Sequence, residues 1–349
     1  MRRLYSRIAK RTSGPVTLQG TFLPSKRRDM PTVIAFPDLL EDPRSLLPLF
    51  NSTFSEYRNL WLLSYRNSWN TERSDNMEPE QVADDVIRFM DSKRITTASL
   101  VGHGYGAKIA TQTGVLKYHR ITSVVGLDYS PQDYSLHKAW LDLKQAVEFA
   151  AKIDLVKKSK EEVELIIKKG VPNHRLAKNL LANLEADREG VYWKSGVREL
   201  ATLMNAKDER ANIGKFPLIG CFPGRALFLY AERGQWVHQS SNTIPIYNIF
   251  PMLLQEYGTF IDHVDTDNHY LHETSDVKSI ARRITDFYKW FDGVHPLLRD
   301  RSEIGKIAVP VRARSDLTPA EAELLVEEGD PTRPKAIPLH RHHNWGYQH

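Results

Sequence analysis

The chain has 349 residues, 41% hydrophobic and 26% charged, with a formal charge of +5; these are the proportions of a soluble globular protein, long enough for one large α/β domain with insertions or two average ones. The positive surplus sits in residues 1–28, which hold Arg2, Arg3, Arg7, Lys10, Arg11, Lys26, Arg27 and Arg28 and no acid, while residues 298–349 are balanced and the body between is slightly acidic, which argues against a broadly basic nucleic-acid-binding face. No uncharged apolar run approaches the ~20 residues of a membrane helix, and the lone Cys221 excludes an internal disulfide and a Cys-based zinc site and fits a reducing compartment.

The N-terminal stretch lacks the apolar core of a secretory signal. Rich in arginine, free of acids and containing Ser and Thr, it has the composition of a mitochondrial transit peptide; the other reading is a basic surface arm. Beyond it, strands and helices alternate. Val33–Phe36, ended by Pro37, predicts a buried strand, and Leu60–Tyr65 a second. Pro79 to Met90 has helical spacing at Val82, Val86 and Phe89, with proline at its start. Ala98–Val101 runs into Gly102-His103-Gly104-Tyr105-Gly106, followed by a helix over roughly 105–118, and Ser123–Asp128 reads as a fourth strand. Continuous apolar strands alternating with helices predict a parallel sheet covered on both faces.

Residues 134–215 break the alternation and read as consecutive helices in the position of a lid. Ser159-x-x-Glu162 is a capping box, and Asn173 caps a helix holding Leu176, Leu180, Leu181 and Leu184. Strands at 226–230 and 258–264 then resume the pattern, and a helix capped by Ser275 closes the domain near Asp292. The organisation read from the sequence is a basic arm or targeting segment at 1–28, a core at 29–133 and 216–297, an all-helical lid at 134–215, and an extended tail at 298–349 with one short helix. The tail is too poor in apolar residues for its own core. Its Leu324, Leu325, Ile337, Trp345 and Tyr347 suit anchors on a partner.

Strand, Gly-x-x-x-Gly, helix is the setting of a nucleophile elbow, in which a serine sits at a strained turn above the sheet. The central position is Gly104, and glycine relieves a strain of roughly 1–3 kcal/mol there. The spacing lacks the G-x-G-x-x-G of a dinucleotide site. Ser99 lies within the strand and Tyr105 starts the helix, so neither replaces the missing hydroxyl. The histidines of the tail (His340, His342, His343, His349) have no fixed geometry for a metal, and His263 with Asp265 to Asp267 reads as a loop.

From about 31 to 291 the chain resembles the α/β-hydrolase superfamily, and within it the mitochondrial abhydrolase domain-containing protein 11 family and related short-chain bacterial esterases. The stretches that carry the resemblance are Val101-Gly102-His103-Gly104-Tyr105-Gly106-Ala107-Lys108, Val125 to Pro131, Asn179 to Leu184 with Tyr192-Trp193-Lys194, Phe228 to Ala231, Trp236-Val237-His238 and Asp267 to His272, in the family's order. The resemblance implies a mostly parallel central sheet with helices on both faces and a serine-hydrolase triad. It puts the nucleophile at Gly104, the histidine at His269 and the acid at Asp128, with Glu232 near an alternative acid position but out of register. It puts the oxyanion loop at Pro37-Asp38 with the Tyr105 amide. Proline offers no N–H, and an aspartate repels a developing oxyanion. Losing the serine of a triad costs about 10⁶ in turnover, and the residual rate depends on the oxyanion hole.

The sequence thus predicts a pseudo-hydrolase with no cofactor, no metal and no stable small-molecule substrate. Its expected role is that of an accessory subunit of a mitochondrial assembly, in the matrix or on the matrix face of the inner membrane. A respiratory-chain or ATP-synthase-type complex comes first and the mitochondrial ribosome second. Arg2, Arg3 and Arg7 at one end, with Leu324, Leu325, Trp345 and Tyr347 at the other, are the docking candidates, and the arm also suits anionic lipid or ribosomal RNA. The alternatives are an esterase or thioesterase with an unconventional site, and a small-molecule binder using the vestigial pocket.

Overall fold

The computed structural model describes residues 12, 14–27, 29–50, 54–237, 249, 259–294 and 312–313. Arg2, Arg3, Arg7, the tail helix expected at 318–328 and the anchors Leu324, Leu325, Trp345 and Tyr347 lie outside the described residues.

Among the described residues, seven strands form one sheet: β1 (Gly20–Leu23), β2 (Thr32–Phe36), β3 (Asn59–Leu63), β4 (Ala98–His103), β5 (Ile121–Leu127), β9 (Arg225–Ala231) and β10 (Thr259–Val264). Their spatial order is β1-β3-β2-β4-β5-β9-β10. All neighbours are parallel except the edge strand β1, which runs antiparallel to β3. Two-residue alternation sorts each strand's side chains between two apolar layers. In β2, Ile34 and Phe36 join one layer and Val33 and Ala35 the other; in β9, Phe228 and Tyr230 oppose Leu227 and Leu229.

Helices cover both faces, which is why the strands read as unbroken apolar runs. On the first face lie α1 (Pro79–Ser92), through Val82, Val86, Phe89 and Met90, and α2 (Tyr105–Leu116). On the second lies the closing helix α7 (Val277–Val294), which buries Ile280, Ile284, Phe287 and Tyr288. Each such side chain contributes about 1.5–3 kcal/mol by leaving water. Asp276, not Ser275, precedes the first turn of α7, its carbonyl accepting from the amides of Ser279 and Ile280. Among the described residues no helix is long and apolar enough to cross a membrane.

The insertion holds α3 (Lys138–Ala151), α4 (Lys160–Gly170), α5 (His174–Asn183) and α6 (Val197–Met204). The expected capping box is present, with Ser159 Oγ accepting from Glu162 N and the Glu162 carboxylate accepting from Ser159 N. Asn173 caps α5 through its side-chain oxygen. The expectation of an all-helical lid is corrected: β6 (Leu184–Asp187) and β7 (Gly190–Trp193) form an antiparallel hairpin between α5 and α6. Leu184 is the buried C-cap of α5, so the chain leaves the helix extended, and the turn at Asp187 and Gly190 folds it back. The lid also shares its core with the first face, since Trp140, Leu143, Val147, Ile167, Leu180 and Leu200 join that layer.

Two boundaries shift. The stretch 1–28, expected to be an arm, already belongs to the body from Val16 onward. Val16 and Leu18 are buried, and β1 extends the sheet. In the tail, expected to extend away from the body, β11 (Arg312–Ala313) pairs antiparallel with β8 (Leu218–Ile219), so this part of it returns to its own domain.

The entry of the chain is held by a buried ion pair. Arg66, fully buried, donates from Nε to Asp85 Oδ2 at 2.7 Å and from its remaining nitrogens to the carbonyls of Asn76 and Gln81. Asp85 Oδ1 accepts the Val16 amide at 2.9 Å. Breaking such a pair strands a buried charge at a cost of about 3–5 kcal/mol. Asp85→Ala is therefore expected to lower the unfolding free energy by that amount in urea titrations and to expose the segment around Val16 to limited proteolysis.

Candidate functional site

The order of the strands reverses at β2. From β2 the chain moves outward to β3 and then returns to β4 on the other side, and loops splay apart at the carboxyl ends of such neighbours. Phe36 pairs with Gly102, and Gly102 with Gly126, so the residues just beyond β2, β4 and β5 emerge side by side. They are Asp38, Gly104 and Asp128. His269 arrives from the loop after β10.

Gly104 sits between β4 and α2 with φ 51° and ψ −118°, a backbone conformation that L side chains adopt only under strain. Gly106 lets α2 press against β2, because a Cβ there would meet the backbone carbonyl of Pro37 at 2.5 Å. The elbow is formed as expected, and its central residue carries no side chain.

Asp38 fills the space above it. Its Oδ1 accepts the Tyr105 amide at 2.6 Å, and its Oδ2 lies 3.2 Å from His269 Nε2. A Cβ on Gly104 would collide with this carboxylate. The Tyr105 amide follows the elbow residue, and in a nucleophile-elbow enzyme that N–H is an oxyanion donor. The amide of Asp38 itself, in the loop that supplies the second donor, bonds to Glu41 Oε2 at 3.2 Å.

His269 lies between two carboxylates. Its Nδ1 is 2.6 Å from Asp128 Oδ2, and the other oxygen of Asp128 accepts the Ala231 amide at 3.0 Å. Asp128, at φ 46°, holds a conformation uncommon for a residue with a side chain. Asp128 rather than Glu232 is thus the partner of the histidine. Burial acts against protonating His269, but the bonds to Asp128 and Asp38 outweigh it and lift its pKa to about 10. At neutral pH the ring is an imidazolium with both N–H groups donated, the opposite of a free general base.

The space beside this triad is small, a cavity of about 30 Å³ lined by Asp38, Tyr129, Tyr134, Trp140, Trp236 and His269 among others. A volume of this size has room for one or two waters. Lys108 also borders it; burial pushes its pKa down to about 7, against a weaker pull from Asp133, and its ammonium donates to the carbonyls of Ile213 and Lys215. The lid is latched down over the site. Asn183 Nδ2 donates to the Leu40 carbonyl, Asn179 Nδ2 to the Tyr270 hydroxyl at 2.8 Å, and Arg73 reaches the carbonyls of Trp193 and Ser195. Arg175 pairs with Glu273 and stacks 3.5 Å over the Tyr270 ring.

Structure brings together every residue of the expected triad and oxyanion loop: Gly104, Asp128, His269, Asp38 and Tyr105, with Pro37 beside them. Sequence reasoning missed Glu41, His272 and the role of His103. The signal was present in spacing, since Glu41 follows Asp38 by three residues and His272 follows His269 by three. Two groups have the donor types and closeness of a metal site, Asp38–His103–His269 and Glu41–His103–His272, with ligand atoms within 4.8 Å of one another. In the first, His269 is already committed to two carboxylates.

A histidine whose pKa is raised on folding stabilises the fold fully below its unfolded pKa of about 6.5, and that contribution disappears as pH rises through its folded value of about 10. Over pH 7 to 10 the unfolding free energy is expected to fall by up to roughly 1.4 kcal/mol per pH unit relative to a His269→Gln variant, in which this slope is absent. Urea titrations of both proteins across the window measure it.

Compared by sequence, no protein-family model and no curated protein matches the chain. Compared by structure, it is similar to an esterase from a marine microorganism at 19% identity and a TM-score of 0.65, over 77% of this chain and 98% of that one. It is similar to a thermophilic esterase from Thermogutta terrifontis at 11% identity and a TM-score of 0.56, covering 79% and 94%. E-2-(acetamidomethylene)succinate hydrolase aligns at 16% identity and a TM-score of 0.55, covering 78% and 95%. With its parallel sheet, its strand–elbow–helix turn and its inserted lid, the chain has the α/β-hydrolase fold.

Proposed function

We propose that this protein is a pseudo-hydrolase, of the kind found beside the mitochondrial abhydrolase domain-containing protein 11 family, and serves as an accessory subunit of a mitochondrial protein complex. The solved neighbours are named as hydrolases, so the fold alone favours an enzyme. One observation outweighs that prior: the Asp38 carboxylate occupies the place a nucleophile would take. It consumes the Tyr105 amide and the Nε2 of His269 together. Acyl transfer needs a nucleophile, a free base and vacant oxyanion donors, and each is worth orders of magnitude in rate. A carboxylate at that point would repel the anion that forms during ester cleavage.

The assignment to an assembly rests on the acid-free, arginine-rich start of the chain and on the aromatic and leucine anchors of its tail. A respiratory-chain or ATP-synthase-type complex is the first reading, because the body between the ends is slightly acidic, and the mitochondrial ribosome is the second. The pairing of β11 with β8 weighs against a freely extended tail and confines any docking role to the chain around and beyond it. The cavity is too small for an acyl chain, which counts against the small-molecule binder.

Two measurements test the proposal. Turnover of p-nitrophenyl acetate and of an acyl thioester by the full chain is expected at the buffer rate, the same in the wild type, His269→Ala and Gly104→Ser. The last gains nothing because its new side chain meets Asp38. Turnover abolished by His269→Ala would sink the pseudo-hydrolase reading. Tagged protein purified from mitochondria of the source organism is expected at the native size of a multisubunit complex; a lone monomer, or a protein outside mitochondria, overturns the subunit role.

A further inference from the structure

A second cluster adjoins the first through His103. Glu41 lies in the turn after β2, His103 is the last residue of β4, and His272 lies on the short 3₁₀ helix Leu271–Glu273. All are buried, at 6%, 0% and 4% exposure. His103 Nδ1 is 3.0 Å from Glu41 Oε2, and His272 Nε2 is 3.4 Å from Glu41 Oε1. The two oxygens of one carboxylate thus face two different imidazoles.

The polar groups of this cluster are only partly satisfied by one another. His103 Nε2 lies 2.9 Å from the carbonyl oxygen of His269. A carbonyl only accepts, so Nε2 carries the hydrogen. A neutral ring then turns the bare lone pair of Nδ1 toward a carboxylate oxygen, and the two repel. A cation between them, either a second proton on the ring or a metal ion, removes the repulsion. His272 supplies an independent sign: both of its ring nitrogens are buried, Nδ1 has no hydrogen-bond partner, and Nε2 has only the long 3.4 Å approach to Glu41.

A divalent cation resolves these conflicts at once. Zinc holds imidazole nitrogen and carboxylate oxygen at ~2.0–2.2 Å, which separates tetrahedral ligand atoms by roughly 3.3 Å. The observed separations of 3.0 and 3.4 Å bracket that value. The remaining N–H of His103 is donated to a backbone carbonyl, the outer bond that fixes the tautomer of a ligating histidine. We propose that Glu41, His103 and His272 form a structural site for one zinc-class divalent ion, each residue giving one ligand atom and a solvent oxygen completing four-coordination. The site ties the loop after β2 and the loop after β10 to the end of β4. It is independent of the subunit reading and holds whether or not the chain joins an assembly.

The test uses the full chain purified without a polyhistidine tag. His340, His342, His343 and His349 are replaced by alanine so that tail imidazoles do not bind metal. After chelation and dialysis, zinc is added and bound metal is counted by elemental mass spectrometry. One zinc per chain is expected, with affinity at least ~10-fold weaker in His272→Ala and in Glu41→Gln. Cobalt(II) added to the protein with Glu41, His103 and His272 intact needs no variant of the site to fold. The strong visible bands of four-coordinate cobalt are expected, and their loss on adding equimolar zinc. No zinc above the level bound by His272→Ala, or a weak six-coordinate cobalt spectrum, overturns the proposal.

Discussion

The bond between the Asp38 carboxylate and the Tyr105 amide is the constraint around which the centre of this protein is arranged. Gly104 starts α2 with no side chain to cap it, and the first amides of a helix require an acceptor. Asp38 reaches across from the neighbouring strand and supplies one, placing a negative charge at the positive end of the helix. A buried carboxylate is tolerable only when it is bonded and its charge balanced. His269 provides that balance, and Asp128 in turn holds His269. Asp38, His269 and Asp128 thus form one continuous chain of bonded side chains.

The consequences extend outward from that chain. The bonds to Asp128 and Asp38 raise the pKa of His269 above that of a free imidazole. The lid is joined to the body by side-chain amides and guanidinium groups donating to backbone carbonyls, and its apolar residues share one layer with α1 and α2. Opening it would break packing as well as hydrogen bonds. The carboxyl ends of the strands, where this fold places chemistry, are tied to the lid and to one another by these bonds.

Much of the architecture was legible in the residues themselves. Apolar runs at 33–36 and 226–230, and at 98–101 with the single interruption of Ser99, announce strands covered on both faces. The box at Ser159 and Glu162 starts a helix by contacts that span three residues, so chain order alone contains the information. The Gly102–Gly106 frame marks the elbow for the same reason. Less visible were β1, whose Gly20–Leu23 becomes a strand because β3 offers it an unpaired edge, and the hairpin β6–β7 within a stretch of helical composition.

The sequence by itself determined the fold class, the place of the elbow and the glycine at its centre, because each depends on residues close together in the chain. The tertiary structure alone decided what fills the space above Gly104. Asp38 and Gly104 stand 66 positions apart, and only the parallel pairing of β2 with β4 sets one above the other. Likewise Glu41, His103 and His272 come from three segments and meet only where the sheet reverses its order. Their significance is electrostatic. It exists only once burial has removed the water that would otherwise separate their charges.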